Sequence, residues 1–270
     1  MSTASLVTYE CKDKIATITL NRPEKLNAFT DDSVRELIAT MRRFDTDKEA
    51  HVAILRGAGR AFSSGADVQQ RQLRTRDELE RLGGPSGEGA RAGDVFTRAV
   101  NWKPVIAAVH GYVYGMAVNM ALGCDLIVAE TGTKFQVTET PRGLGGARYW
   151  GLLDIVGAGA FGMEVALTGR VFTAEEALTA NIISRVTPKG EFMAAAHELA
   201  KAIAKNPPLS VQSVVRTRRW YVAERDRETE MQQAALKLHL TEDFQEAARA
   251  FVENAKQGLS RGGRTSEFRS

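Results

Sequence analysis

Residues 105–129, VIAAVHGYVYGMAVNMALGCDLIVA, decide how this chain is read. The stretch is apolar nearly throughout, yet it carries glycines at 111, 115 and 123, with His110, Asn119 and Asp125 among them. Val105 to Val109 and Leu126 to Ala129 have the length and composition of buried strands, and the small residues between them suit a buried helix. Gly115 adds chemistry to the packing. A glycine just before Met116 lets the backbone turn into a helix whose first N–H groups have no partner, and such groups attract negative charge.

A second stretch has the same character. HVAILRG (51–57) reads as a buried strand, and GRAFSSGAD (59–67) follows as a loop of small residues in which Ala66 comes directly after Gly65. If the two strands are neighbours, the N–H groups of Ala66 and Met116 converge on one carbonyl oxygen and hold the charge that develops there. Such a hole stabilises an enolate or oxyanion without side-chain chemistry.

Upstream, two short strands are predicted between Leu6 and Leu20, turning at Asp13. Thr30 reads as an N-cap, with Asp31 and Asp32 in the first helical turn. Val34, Leu37, Ile38 and Met41 give that helix its apolar stripe. Residues 71–95 are charged and then glycine-rich, and they predict a mobile surface segment outside the core. After Ala129 the chain reads as loop until a helix holding Leu152, Leu153 and Ile155. Thr173 and Glu176 form a capping box, residues 191–205 are helical, and Asn206-Pro207-Pro208 is a breaker. Everything beyond it is helix. The expected organisation is a core over 1–206, a helical region over 207–256 and a disordered tail over 257–270.

The 270 residues, with 36 Lys plus Arg against 33 Asp plus Glu, carry a formal charge of +3. That is too slight to indicate nucleic acid, and a basic pocket for a phosphorylated ligand satisfies it equally. No apolar run is long enough to span a membrane, and MSTASLVTYE has no secretory character, so the cytoplasm is expected. Cys11 and Cys124 make no disulfide framework, and four scattered histidines show no metal-ligand spacing. Gly157, Gly159 and Gly162 spell GxGxxG, with Glu175 or Glu176 at the distance of a ribose contact. The fingerprint needs a preceding strand, and the residues before it read as helix, so nucleotide binding there is discounted.

Taken together, ITLNRPEKLNAF (18–29), GAGRAFSSGADV (57–68), WKPVIAAVHGYVYGMAVNMALGCDLIVA (102–129), LTGRVFTAEEA (167–177) and the 206–208 junction resemble the crotonase, or enoyl-CoA hydratase/isomerase, superfamily in order and spacing. The resemblance implies an α/β fold, a crotonase-like spiral of repeated β-β-α units with a C-terminal helical trimerisation region, the trimers often paired into hexamers. It implies an acyl-CoA thioester substrate, with coenzyme A as part of it and no tightly bound cofactor. The family's oxyanion donors fall on the backbone N–H of Ala66 and Met116. Its coenzyme-A-lining positions fall on Lys25, Leu26, Ala28, Ala66, Asp67 and Val68, and the 71–95 segment corresponds to the border of the acyl pocket.

The catalytic side chains depart from the family's hydratases, which carry two glutamates. The first position falls on Asn119, whose amide can hold a water or a substrate oxygen but cannot exchange a proton. The second falls on Glu139, in a loop where Gly143-Leu144-Gly145-Gly146-Ala147 replaces the usual glycine-rich run. A half-buried Glu139 would have a raised pKa, which suits proton shuttling. One carboxylate suffices to move a double bond, so isomerisation is favoured over two-glutamate hydration. The alternative is a hydratase-lyase of aromatic or branched acyl-CoAs that recruits a tyrosine, for which Tyr112, Tyr114 and Tyr149 are candidates, with Trp150 as a further pocket-lining residue. A reading of another class, a weakly catalytic acyl-CoA- or RNA-binding scaffold, is disfavoured by the absence of a basic stripe interleaved with aromatics.

Overall fold

The computed structural model describes residues 5–87, 89–97 and 102–260. Strands β1 (Val7–Lys12) and β2 (Ile15–Leu20) form an antiparallel hairpin, followed by a 3-10 turn at Pro23–Lys25 and helix α1 (Asp31–Thr46). Next come β3 (Val52–Gly57), α2 (Val68–Arg71), α3 (Arg76–Leu82) and α4 (Ala92–Thr97). The stretch 105–129 yields β4 (Val105–Val109), β5 (Tyr112–Tyr114) and α5 (Met116–Gly123), and it ends in β6 (Leu126–Glu130). Then follow β7 (Lys134–Gln136), α6 (Ala147–Ile155), α7 (Gly159–Thr168), β8 (Val171–Thr173), α8 (Ala174–Thr179), β9 (Arg185–Thr187) and α9 (Phe192–Ala204). Helices α10 (Pro208–Ala234) and α11 (Glu242–Ser260) complete the described chain.

The larger sheet has the order β1-β2-β3-β4-β6-β9, and the smaller has β5-β7-β8. From β2 onward the large sheet is parallel. The chain passes from β4 in the large sheet to β5 in the small one and then into α5, and from β6 to β7 in the same way. This is the repeated β-β-α spiral.

The strands are apolar on both sides because both faces are covered. Ala53, Leu55, Ala107 and Val109 join the main core with Val34, Leu37, Met41 and Phe44 of α1. Ile54, Ile106 and Val128 face the other way, onto Phe192, Ala196 and Ala200 of α9. Each fully buried Val, Leu, Ile, Met or Phe among them contributes about 1.5–3 kcal/mol. Thr30 caps α1 in a reciprocal box with Ser33, and Thr173 caps α8 in another with Glu176.

Three expectations change. The segment over 71–95 packs: Thr75 and Glu78 form a capping box that starts α3, and Leu79, Ala90 and Val95 are buried. Its few apolar residues are spaced one per turn or loop, too sparsely for composition to show a core contribution. Lys134–Gln136 forms a strand, at three residues too short for alternation to be visible. Helix α11 continues to Ser260, into the expected tail, and residues 261–270 lie outside the described residues.

The discounted GxGxxG begins at Gly157 in the turn after α6 and continues into α7 at Gly159 and Gly162, so a helix and not a strand precedes it. Among the described residues, no helix is long and apolar enough to cross a membrane, and no group of His, Cys, Asp or Glu could hold a metal ion.

Candidate active site

Main-chain pairing brings two donors together. β3 and β4 are parallel neighbours, with Ile54 opposite Ile106. Beyond β3 the chain runs beside β5: Phe62 N donates to His110 O at 2.9 Å and Ser63 N to Tyr112 O at 3.0 Å. On the other flank Phe29 N donates to Gly65 O at 2.8 Å and Asp67 N to Phe29 O at 2.9 Å. This zipper turns the Ala66 N–H away from Phe29. Among the described residues neither Ala66 N–H nor Met116 N–H has a hydrogen-bond acceptor.

The approach of the two peptides requires Gly65, whose φ is +91°. A Cβ there would lie 2.5 Å from the Tyr114 carbonyl oxygen and 3.5 Å from Met116 N. Gly115, at φ +49°, turns the chain into α5 and leaves Met116 at its first position.

Ala66 and Met116 line a cavity of about 540 Å³ together with Asn119, Glu139 and Tyr149, a size ordinary for a small-molecule site. A separate hollow of about 640 Å³ lies along α1, α2 and α3, walled by charged side chains such as Asp31, Arg35, Arg74 and Glu78. It contains neither donor peptide.

Glu139 follows β7 and sits at the N-terminus of α5. A Cβ on Gly115 would come within 3.2 Å of its Oε1 and 3.5 Å of its Oε2. The Tyr149 hydroxyl donates a short hydrogen bond to Oε1, and the Thr138 hydroxyl donates to Oε2 at 3.4 Å. Burial raises the Glu139 pKa above its ordinary value, against the opposing pull of Tyr149, the backbone, Arg142 and Thr138. Burial likewise pushes the Tyr149 phenol well above its usual range, reinforced by the Glu139 charge. Tyr149 is therefore a proton-bearing donor, and Glu139 is a carboxyl poised to gain or lose a proton nearer neutrality than a free one.

Asn119 lies one turn into α5, only 5% exposed. Its Nδ2 is buried and without a partner, an uncommon state for an amide that costs stability unless a ligand uses it.

The other expected positions distribute unevenly. Lys25, Leu26 and Ala28 lie on the segment that runs beside 64–67, with Ser64 N donating to Leu26 O at 2.9 Å. Asp67 caps α2 and pairs with Arg22 at 2.7 Å, and Val68 is buried. Of these six positions only Ala66 reaches the cavity wall. Tyr112 and Tyr114 do not line the cavity either. They flank buried Val113 on β5, so their side chains take the opposite face, where their rings lie 5.3 Å apart. Trp150 is one helical step from Tyr149 and also misses the wall.

Sequence reasoning missed Arg71, Gln72, Arg148 and Gln233, all of which line the cavity. Gln233 donates to Leu144 O at 2.5 Å from the end of α10. Nothing in a local pattern announces a contact 89 residues away in the chain.

Comparisons with known proteins identify the family of the chain. The enoyl-CoA hydratase/isomerase family model matches residues 10–260. The chain is 34% identical to an (E)-benzylidenesuccinyl-CoA hydratase of Thauera aromatica over 212 residues, 77% of this chain and 79% of that protein. It is 31% identical to a short-chain-enoyl-CoA hydratase of Clostridium acetobutylicum over 258 residues, 93% of this chain and 95% of the other. A carnitinyl-CoA dehydratase from Mycobacterium avium superposes with a TM-score of 0.76 at 30% identity, covering 93% of this chain and 97% of that one. With the two-sheet spiral and the paired donor peptides, these matches establish that the chain belongs to the enoyl-CoA hydratase/isomerase family, within the crotonase superfamily.

Proposed function

We propose that this chain acts on an acyl-CoA thioester by moving a proton, with Glu139 as acid/base, and that double-bond isomerisation is its reaction. The thioester oxygen lies between the N–H groups of Ala66 and Met116. Glu139 removes a proton from one carbon, the resulting enolate is held by the two donors, and Glu139 returns the proton to another carbon. Tyr149, donating to Oε1, stabilises the carboxylate while the proton is away. Asn119 supplies no proton. One observation carries the reading: a carboxylate beside two acceptor-free backbone N–H groups in one cavity. Coenzyme A enters as part of the substrate, along the edge formed by Lys25, Leu26, Ala28, Asp67 and Val68.

Incubation with 3-enoyl-CoA and 2-enoyl-CoA thioesters tests this directly. Interconversion of the double-bond isomers, lost in Glu139→Gln, is expected. Hydration of the 2-enoyl thioester with no isomerisation overturns the choice of reaction, and full activity of Glu139→Gln overturns the role of Glu139. The hydrogen bond from Tyr149 favours one second reading, a hydratase-lyase, because a phenol on the same carboxylate is a second proton carrier.

We further propose a homotrimer built through α10. Leu209, Val214, Trp220, Tyr221 and Met231 on this helix are exposed by 60–79%, more large apolar surface than a lone helix normally shows to water. Light scattering on the purified chain is expected to give three times the 29.5 kDa of one copy.

A further inference from the structure

Among the described residues Arg71 is the largest fully buried side chain, at 1% exposure, and it stands on the cavity wall. Its guanidinium has five donors, and its partners do not use them fully. Nη2 donates to Ala90 O at 2.8 Å, Nε lies 3.4 Å from Asp31 Oδ1, and Nη1 meets only the Met116 thioether, at 3.3 Å. A thioether is a weak acceptor. Among the described residues the charge is also incompletely balanced, because Asp31 is shared with Arg74 in a shorter ion pair. Two guanidinium groups thus face one carboxylate. The other arginines on the wall are matched, Arg91 by Glu230 at 3.1 Å and Arg148 by Asp226 at 2.5 Å.

A second donor stands close by. Asn119 Nδ2 is buried, unpartnered and on the same wall. It lies one turn from Met116, the residue that Arg71 Nη1 touches. Both donors therefore lie close to Met116, Arg71 Nη1 against its thioether and Asn119 one turn along α5, so an acceptor that meets them lies near the thioester carbonyl.

We infer that the acyl group carries a second carboxylate, bound by Arg71 and Asn119, and that the substrate is the coenzyme A thioester of a short dicarboxylic acid. This rests on the acyl-CoA reading above and adds the identity of the acyl group. A carboxylate would complete the ion-pair count, partner Asn119 Nδ2 and replace the weak thioether acceptor of Arg71, and charge-assisted bonds of this kind are the stronger class. Burial lowers the Arg71 pKa only to about 10, so the guanidinium remains charged at neutral pH.

Crotonyl-CoA and glutaconyl-CoA differ essentially by one carboxylate and make a matched pair of probes. Enoyl absorbance and proton exchange in deuterated water, followed together, register either hydration or isomerisation. The wild-type chain is expected to favour glutaconyl-CoA by at least about tenfold in kcat/KM. Arg71→Met should remove the preference mainly through KM, and Arg71→Lys should restore part of it. Equal or better turnover of crotonyl-CoA by the wild type overturns the inference, as does a folded Arg71→Met that keeps the preference. Because Arg71→Met removes a buried ion-pair partner, the binding of the saturated pair, glutaryl-CoA and butyryl-CoA, to the wild type supplies a measurement that needs no variant. Tighter glutaryl-CoA binding supports the inference and equal binding overturns it. If no thioester binds or reacts, the acyl-CoA reading itself falls, an outcome distinct from preference for the neutral acyl group.

Discussion

The two halves of the cavity are built from different materials. One half is backbone: Ala66 and Met116 present N–H groups whose positions follow from strand pairing and from two glycines. The other half is side chain: Glu139, Tyr149, Asn119 and Arg71 converge from α2, α5, α6 and the loop after β7. The backbone half is fixed by local sequence and can be altered only by displacing the chain. The side-chain half can be changed atom by atom, and it is there that members of one fold are free to differ in chemistry.

The largest expected effect lies in the side-chain half. Glu139→Gln keeps the shape and the acceptor for Tyr149 but removes the exchangeable proton. Loss of a general acid/base typically costs about 10²–10⁴-fold in rate, so steady-state kcat should fall by that order with KM little changed. The same substitution has an opposite effect on stability. The folded pKa of Glu139 lies above its unfolded value, so between the two values the native state binds more protons than the unfolded one. Stability then falls as pH rises through that window, and at neutral pH the charged carboxylate is a net cost. Glu139→Gln should melt higher than wild type at pH 8, with the gap closing toward acid pH.

Breaking the backbone half gives the next effect. Gly65→Ala places a Cβ 2.5 Å from the Tyr114 carbonyl oxygen at a φ of +91°, a combination that an L side chain tolerates poorly. The Ala66 and Met116 peptides must separate. Loss of one oxyanion donor costs about 10²–10³ in kcat, and Gly65→Ala should show a loss of that order without any change in ionisable groups. Its pH–rate profile should therefore keep the wild-type shape, which distinguishes the two halves experimentally.

Tyr149→Phe is expected to cost less, about tenfold in kcat. The Tyr149 hydrogen bond lowers the Glu139 pKa against the dominant effect of burial. Its removal should move the acid limb of the pH–rate profile to higher pH. A limb that stays in place would mean that Glu139 is not the group it reports.

The contrast also explains what could be read from the sequence. The elements of the backbone half were legible, because β3, β4 and α5 are largely apolar runs punctuated by glycines, whereas the pairing of β3 with β4 was only a condition in the sequence and is supplied by the structure. The N-cap at Thr30 and the capping box of Thr173 with Glu176 were legible for the same local reason, while the reciprocal partner Ser33 was not read. The side-chain half was legible only through family resemblance, at Asn119 and Glu139 and, as one of three candidate tyrosines, at Tyr149. Arg71 was hidden, since a buried arginine looks in sequence like any helix-surface arginine, and its burial depends on Asp31, 40 positions away by numbering, and on Ala90. Tyr112 and Tyr114 misled because proximity to Gly115 in sequence says nothing about side-chain direction on a strand, where the period of two sends both away from Val113.

The smallest effect tests whether the scaffold and the site are separable. Thr173 stands at the end of β8, accepts a hydrogen bond from Glu176 N at 3.2 Å and, through its own N–H, donates to Glu176 Oε2 at 2.9 Å. Thr173→Ala removes half of this box, and losing such a cap costs about 1 kcal/mol. β8 pairs with β7, Lys134 opposite Thr173, and the chain after β7 carries Glu139. A loosened β8 would therefore reach catalysis if Glu139 were positioned from its own strand. Its carboxylate is instead held by Tyr149 of α6 and lies against Gly115 at the start of α5. Chemical denaturation should register the lost stability while kcat at 25 °C stays at the wild-type value. A fall in kcat matching the fall in stability would show that the side-chain half takes its geometry from the small sheet.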